Sequence, residues 1–113
     1  EQTNRTKISD LDYTIAAEAD IPEELQNDIE EKKAADFKMT YKDSKFLYIV
    51  RGYGEQETGG CSISVKELYL TENAIVADTE LLGPESAEQT GAEKSYPYIV
   101  VKTEYLEEPV IFQ

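Results

Sequence analysis

The chain has 113 residues, of which 40% are hydrophobic and 31% are charged. This length fits one domain with a single hydrophobic core, and the apolar content is enough for that domain to fold. With 24 acidic against 11 basic residues the net charge is −13, which disfavours nucleic acid and anionic membrane surfaces as partners because both are bound through clustered Lys and Arg.

The residue types that are missing exclude several kinds of site. The chain has no histidine, so Ser-His-Asp and Cys-His nucleophile systems and His-based zinc sites are excluded. Its one cysteine, Cys61, excludes an internal disulfide and the multi-cysteine zinc patterns. No D-x-D-x-D-G calcium loop is present. We therefore predict no catalytic residue, no metal and no cofactor.

The N-terminal part predicts a lead-in, a strand and a helix. Residues 1–7 are polar and predict a flexible lead-in to a single domain over residues 8–113. Apolar positions between Ile8 and Ala17 predict a short strand for at least the second half of that stretch. No run approaches the length of about 20 apolar residues that spans a bilayer. Glu1 is not preceded by Met, which predicts a mature or trimmed form.

The clearest helix is predicted at about residues 21–35. Asp20 is suited to cap it, Glu23 completes a capping-box spacing, and Pro22 fits the first turn because its missing N–H costs nothing there. Apolar residues four apart then form one narrow stripe, which predicts a helix that packs on one side and exposes the rest: Ile21, Leu25 and Ile29.

After the helix the apolar period changes to two, which is typical of strands. Residues 37–43 alternate and predict a half-buried strand, whereas residues 45–53 are apolar on both parities and predict a central strand covered on both faces. The next strand begins at Cys61, and a change of parity past Glu67 predicts a β-bulge or bend. Residues 71–74 predict a hairpin turn with Asn73 at positive φ.

The last third of the chain predicts more strands around one long loop. Residues 75–82 return as a partner strand, residues 83–95 form a polar loop, and residues 96–105 form the last strong strand. Residues 107–112 predict a short edge strand, in which Pro109 limits the backbone hydrogen bonds to a neighbouring strand. Short connections favour antiparallel neighbours. We predict an α+β or mostly β single domain, a twisted antiparallel sheet that is open or curled into a sandwich or partial barrel, with the helix on one face or end.

Residues 51–65, "RGYGEQETGGCSISV", hold four of the six glycines. They match neither G-x-G-x-x-G nor a P-loop, and the sequence after them alternates as a strand does, so we reject phosphate binding. We predict a hairpin loop between two core strands. Gly59 and Gly60 would supply positive φ, and Gly52 and Gly54 would allow a twist or bulge. The same loop could also be a contact surface, since binding residues often lie on loops held by a rigid sheet.

One longer pattern combines this loop with the final strand. An apolar strand is followed by Gly54 and by Thr58-Gly59-Gly60, then by a hairpin, and then by Tyr96-Pro97-Tyr98 before a β run. Over residues 46–103 this order resembles the PrcB C-terminal domain, the module of bacterial protease-complex subunit PrcB-like proteins. Two positions depart from that pattern, because Cys61 stands where an aromatic residue is expected and Glu57 stands where proline is expected.

The resemblance implies a non-catalytic, extracytoplasmic accessory domain, exported or lipid-anchored upstream of Glu1, that contacts a protease or another envelope protein. The implied contact or signature residues are Tyr53, Gly54, Thr58, Gly59, Gly60, Cys61, Tyr96, Pro97 and Tyr98. Three alternatives stay open. Tyr53, Tyr96 and Tyr98 could form a platform for a glycan or small ligand, the loop is faintly similar to chagasin-type protease inhibitors, and carboxylates alone could serve a glycoside hydrolase.

Overall fold

Within residues 7–57, 59–83 and 94–113, which the computed structural model describes, the chain forms eight β-strands, one 3₁₀ turn and one α-helix. Residues 1–6 of the predicted lead-in, most of the predicted loop at residues 83–95, and Thr58 lie outside the described residues. The elements are β1 (Ser9–Asp10), β2 (Thr14–Ile15), the 3₁₀ turn (Glu18–Asp20), α1 (Glu23–Lys32), β3 (Asp36–Lys42), β4 (Phe46–Tyr53), β5 (Ser62–Leu70), β6 (Ile75–Leu82), β7 (Tyr98–Glu104) and β8 (Val110–Phe112).

The strands form two four-stranded sheets. The outer sheet has the order β1-β5-β6-β8, and the central sheet has the order β2-β7-β4-β3. Neighbours are antiparallel except that β8 joins the edge of the outer sheet parallel to β6. The predicted fold class is confirmed, and of the arrangements left open by the sequence the protein has the sandwich.

The central sheet is covered on both faces, as predicted for β4. Leu47 and Ile49 pack between the two sheets in a cluster with Leu68, Ile75, Ala77, Ile99 and Val101. The alternate residues of β4, Tyr48 and Val50, pack on the opposite face against the helix in a cluster with Ile21, Leu25, Ile29 and Val100. The molecule therefore has three layers, which are the outer sheet, the central sheet and α1.

The start of the helix differs from the prediction. Pro22 is the N-terminal boundary residue of α1, no side chain caps it, and Asp20 belongs to the preceding 3₁₀ turn. The side chain of Gln26 instead reaches back, and its Nε2 donates to the backbone oxygens of Ile21 at 2.8 Å and Glu18 at 2.9 Å. The capping-box prediction was wrong because the chain makes a separate 3₁₀ turn before the helix begins.

One turn and one irregularity were also predicted. The bulge is confirmed, since the β5–β6 register shifts between Val65 and Glu67. The hairpin between β5 and β6 is present, but Asn73 does not have positive φ. Thr71 supports the turn instead, because its Oγ1 accepts from Ala74 N at 3.0 Å. At the β3–β4 turn, Asp43 accepts from the backbone N–H groups of Lys45 and Phe46, which lower its pKa.

The glycine-rich stretch does not form a hairpin. β4 pairs with β3 and β7, whereas β5 pairs with β1 and β6. The chain from Gly54 to Cys61 therefore crosses from the central sheet to the outer sheet. The hairpin prediction failed because a short connection between two strands does not reveal whether they share a sheet.

Candidate functional site

The glycine loop and the Tyr-Pro-Tyr segment meet at one end of the sandwich. Tyr53 N donates to Pro97 O at 3.1 Å, and an isolated antiparallel bridge joins Gln56 to Ser95 through two backbone hydrogen bonds of 2.8 and 3.0 Å. We call residues 53–56 together with residues 95–98 the signature end. Two segments of the family-like pattern that lie far apart in the sequence are thus neighbours here.

Gly54 sets the path of the chain at the signature end. Its φ is +75°, and an added Cβ would lie 2.8 Å from the backbone nitrogen of Asp36. A side chain would be both strained and obstructed at this position. The close approach lets Glu55 N donate to Ala34 O at 3.3 Å, so the loop is held against the connection between α1 and β3.

Tyr96 and Tyr98 are the exposed aromatic residues of the signature end, with 37% and 38% of their surface accessible. The Tyr96 hydroxyl donates to Glu55 Oε1 at 3.3 Å, and Lys94 pairs with the same carboxylate at 3.1 Å. Lys33 Nζ lies 5.8 Å from the centre of the Tyr96 ring. The pKa of Lys33 is raised, chiefly by its hydrogen bond to Glu30. The end of α1 therefore contributes a cation beside the two rings.

Tyr53 does not join these two rings in one platform. Its hydroxyl is 2.6 Å from Thr79 Oγ1 of the outer sheet, and the Arg51 guanidinium lies 4.0 Å from its ring centre. Tyr98 is paired with Gly52, so the side chains of residues 53 and 98 lie on opposite faces of the central sheet. Tyr53 links the sheets, while Tyr96 and Tyr98 lie on the helix side.

The remaining signature residues lie on the crossing to the outer sheet. Gly60 has φ of +80°, as predicted, whereas Gly59 does not have positive φ and an added Cβ there would meet no atom within 4 Å. Cys61 is half-buried immediately before β5. The geometry thus requires glycine at residues 54 and 60.

Several charged residues at this end were not predicted from the sequence. Arg51 donates from Nη1 to Asp36 Oδ1 at 2.7 Å and also to the backbone oxygen of Gly52. Lys33, Glu55 and Lys94 surround Tyr96. No sequence motif marks these residues, because the end of a helix and a distant loop become neighbours only when the three layers assemble.

The described surface also contains clefts away from the signature end. Asp10, Asp12 and Glu104 line one cleft of about 340 Å³, where Asp10 is paired with Lys7 at 2.9 Å. Among residues 7–57, 59–83 and 94–113, no group of three or more His, Cys, Asp or Glu side chains is placed to hold a metal ion. None of the helices in that part of the chain is long and apolar enough to cross a membrane.

Comparison with known proteins identifies a family for this chain. Residues 47–104, slightly more than half of the chain, match the family model described as PrcB C-terminal. This range runs from the second residue of β4 to the end of β7 and contains every signature residue named above. No curated protein and no solved structure matched the chain.

Proposed function

The chain belongs to the PrcB C-terminal family, and from this premise we propose that it is a non-catalytic, extracytoplasmic accessory domain that binds or stabilises a protease. The match to the family model identifies the domain but does not identify its binding partner. The proposed location is the cell envelope or the secreted fraction, with any lipid anchor lying upstream of Glu1.

The single observation that supports this proposal is that both halves of the family pattern converge on one surface. Backbone hydrogen bonds hold the Tyr53–Gln56 and Ser95–Tyr98 segments together, and the surface that results presents Tyr96 and Tyr98. Tyrosine is favoured at protein interfaces because it buries a large rigid area while keeping one polar group. A loop held by a rigid sheet is also a usual place for binding residues.

A partner with a polar rim suits the charged side of the signature end. Lys33 and Lys94 stand next to Tyr96, where they are paired with Glu30 and Glu55. Charged groups at the rim of an interface guide encounter and register more than they add affinity. We therefore assign the two rings the main contact and the two lysines an orienting role.

Photo-crosslinking in the cells that make this protein tests the proposal. A photoreactive phenylalanine analogue replaces Tyr96 in one strain and Tyr98 in another, and crosslinked proteins are identified by mass spectrometry. We expect a protease to be recovered from both positions. Recovery of non-protease proteins alone, or of none, would count against the proposal.

Tyr105 provides a matched control position. It is 40% exposed, its hydroxyl bonds to a glutamate (Glu107), and a lysine (Lys42) lies 5.8 Å from its ring centre. Tyr105 thus reproduces the local surroundings of Tyr96 but lies outside the signature end. The analogue at residue 105 should recover no protease, and equal crosslinking at residues 96 and 105 would contradict a specific contact at the signature end.

A further inference from the structure

One flank of the sandwich has an open strand edge. β1 pairs with β5 only at Tyr69 and Leu70, and the last backbone bond along that side runs from Leu11 N to Leu68 O. Among the described residues, Ser62–Val65 pair with β6 on one side and with no strand on the other. Alternate residues of such a strand direct their N–H and C=O groups outwards. The first half of β5 therefore offers unpaired backbone groups.

An apolar groove runs along this open edge. It has a volume of about 510 Å³ and is lined by Tyr13, Ile15, Ile63, Ser64, Val65, Tyr98 and Ile99. Ile63 and Val65 belong to the inter-sheet cluster but are only partly buried, and Ile15 on the opposite sheet is 53% exposed. The two sheets thus leave apolar side chains uncovered on the same flank where β5 leaves backbone groups unpaired.

The outward face beside the edge is acidic overall, since it carries Glu67, Asp78 and Glu80, while Lys7 supplies a cation near Glu67. Ile63, Val65 and Leu68 point inwards, so the alternation and the β5–β6 register place Ser64 opposite Glu80 and Glu67 opposite Asp78 on the outward face. Like charges directly opposite each other are unfavourable in a sheet. A long cationic side chain from an added strand would relieve this repulsion, since such a strand would lie about 4.8 Å from β5 and about twice as far from β6.

From these three observations we propose that the Ser62–Val65 edge binds an extended peptide segment as an additional strand. The segment alternates apolar side chains, which fill the groove, with basic side chains, which face Glu67, Asp78 and Glu80. Main-chain hydrogen bonds would fix the register of the added strand, and the groove would select its apolar side chains, as in other cases of strand addition.

A second copy of this chain fits the same edge less well. Pairing two β5 edges would bring two sets of Glu67, Asp78 and Glu80 together on chains that each carry a net charge of −13. Lys66, an exposed cation at the bulge, ends the open stretch and is a typical protection against edge-to-edge association. The binding surface is thus short and suited to a peptide of opposite charge. It does not require the protease of the proposed function.

The test measures fluorescence anisotropy of a labelled synthetic peptide that alternates lysine and valine. Two further probes serve as controls, one with glutamate in place of lysine and one with every second amide N-methylated. We expect binding of the first probe only, and binding should weaken as salt is added. Equal binding of the N-methylated probe would overturn strand addition, because electrostatic attachment would then explain the signal.

Charge-reversal variants locate the site. Glu67→Lys combined with Glu80→Lys should weaken binding about tenfold, whereas Glu23→Lys with Glu31→Lys on α1 makes the same change in net charge and should leave binding unchanged. An equal loss of peptide binding in both double variants would overturn the proposal. Circular dichroism confirms that each variant is folded.

Amide hydrogen exchange gives a position-specific readout that the crosslinking of Tyr96 does not share. With the lysine–valine peptide bound, outward-facing amides within Ser62–Lys66 should exchange about tenfold more slowly. Slowing confined to other strands would overturn the proposal. So would a concentration-dependent dimer of the free protein in which these same amides are protected, since a second copy would then be the occupant.

Discussion

At the scale of single residues, Gly52 controls how β3 packs on the central sheet. Phe37 lies directly opposite Gly52 in the β3–β4 pairing, and a Cβ on Gly52 would come within 2.1 Å of Phe37 Cε1. The aromatic ring therefore occupies the space that a side chain at residue 52 would need. This contact lies on the face covered by α1, where displaced side chains have little room to move.

Gly52→Ala should therefore lower the free energy of unfolding by about 2 kcal/mol, the usual cost of overfilling a packed site. Urea denaturation followed by tyrosine fluorescence measures this change. Adding Phe37→Leu should recover part of the loss, so that the two changes are not additive.

Gly83→Ala is the control, because an added Cβ there meets no atom within 4 Å and Gly83 does not have positive φ. Its effect should be close to zero or slightly stabilising. If Gly52→Ala were as well tolerated as Gly83→Ala, the ring would not fill that space in solution.

At the scale of elements, the strands could be predicted from the sequence but their distribution between sheets could not. Strand periodicity is a local property that can be read along the chain. It identified β3 from the alternation of Phe37, Met39 and Tyr41, and it identified β4 from apolar residues on both faces. Alternation shows which residues face a core, but it does not show which sheet supplies that core. The crossing between β4 and β5 was therefore mistaken for a hairpin.

The candidate site could likewise be predicted from the sequence only in part. Gly54, Gly60 and the Tyr-Pro-Tyr segment could be recognised because they form a pattern along the chain. Their contacts with Ala34 and Lys33 could not, because those contacts depend on where α1 ends against the central sheet.

The beginning of α1 gives a prediction at this scale. Gln26 makes two hydrogen bonds to the preceding turn, whereas no side chain caps the helix at its boundary. Gln26→Ala should cost about 1 kcal/mol of stability, and Asp20→Ala should change stability by less than about 0.5 kcal/mol. Thermal unfolding of both variants measures the difference. The reverse order would restore Asp20 as the cap that the sequence pattern suggested.

At the scale of the whole molecule, charge is the dominant property. The net charge is −13 and the chain has no histidine, which is the side chain that ordinarily titrates near neutral pH. Repulsion among the carboxylates opposes compaction. The acidic outward face beside β5 is a local instance of this general excess.

The dependence of stability on pH and salt follows from these charges. Burial raises the pKa of Tyr48, and the pKa of Tyr105 is raised by its hydrogen bond to Glu107. A raised pKa in the folded state stabilises the protein below the unfolded value of about 10, and this contribution is lost as the pH rises through the folded value. The melting temperature should therefore be flat between about pH 6 and 9 and fall above about pH 10.

Added sodium chloride should raise the melting temperature at pH 7, because screening weakens the repulsion among carboxylates. Melting curves across pH and salt, followed by circular dichroism, measure both effects. A Tyr48→Phe variant should show a shallower alkaline decline, since its ring stays buried against α1 but cannot ionise. A step in stability near neutral pH would contradict the expected plateau, because the chain has no histidine to titrate there.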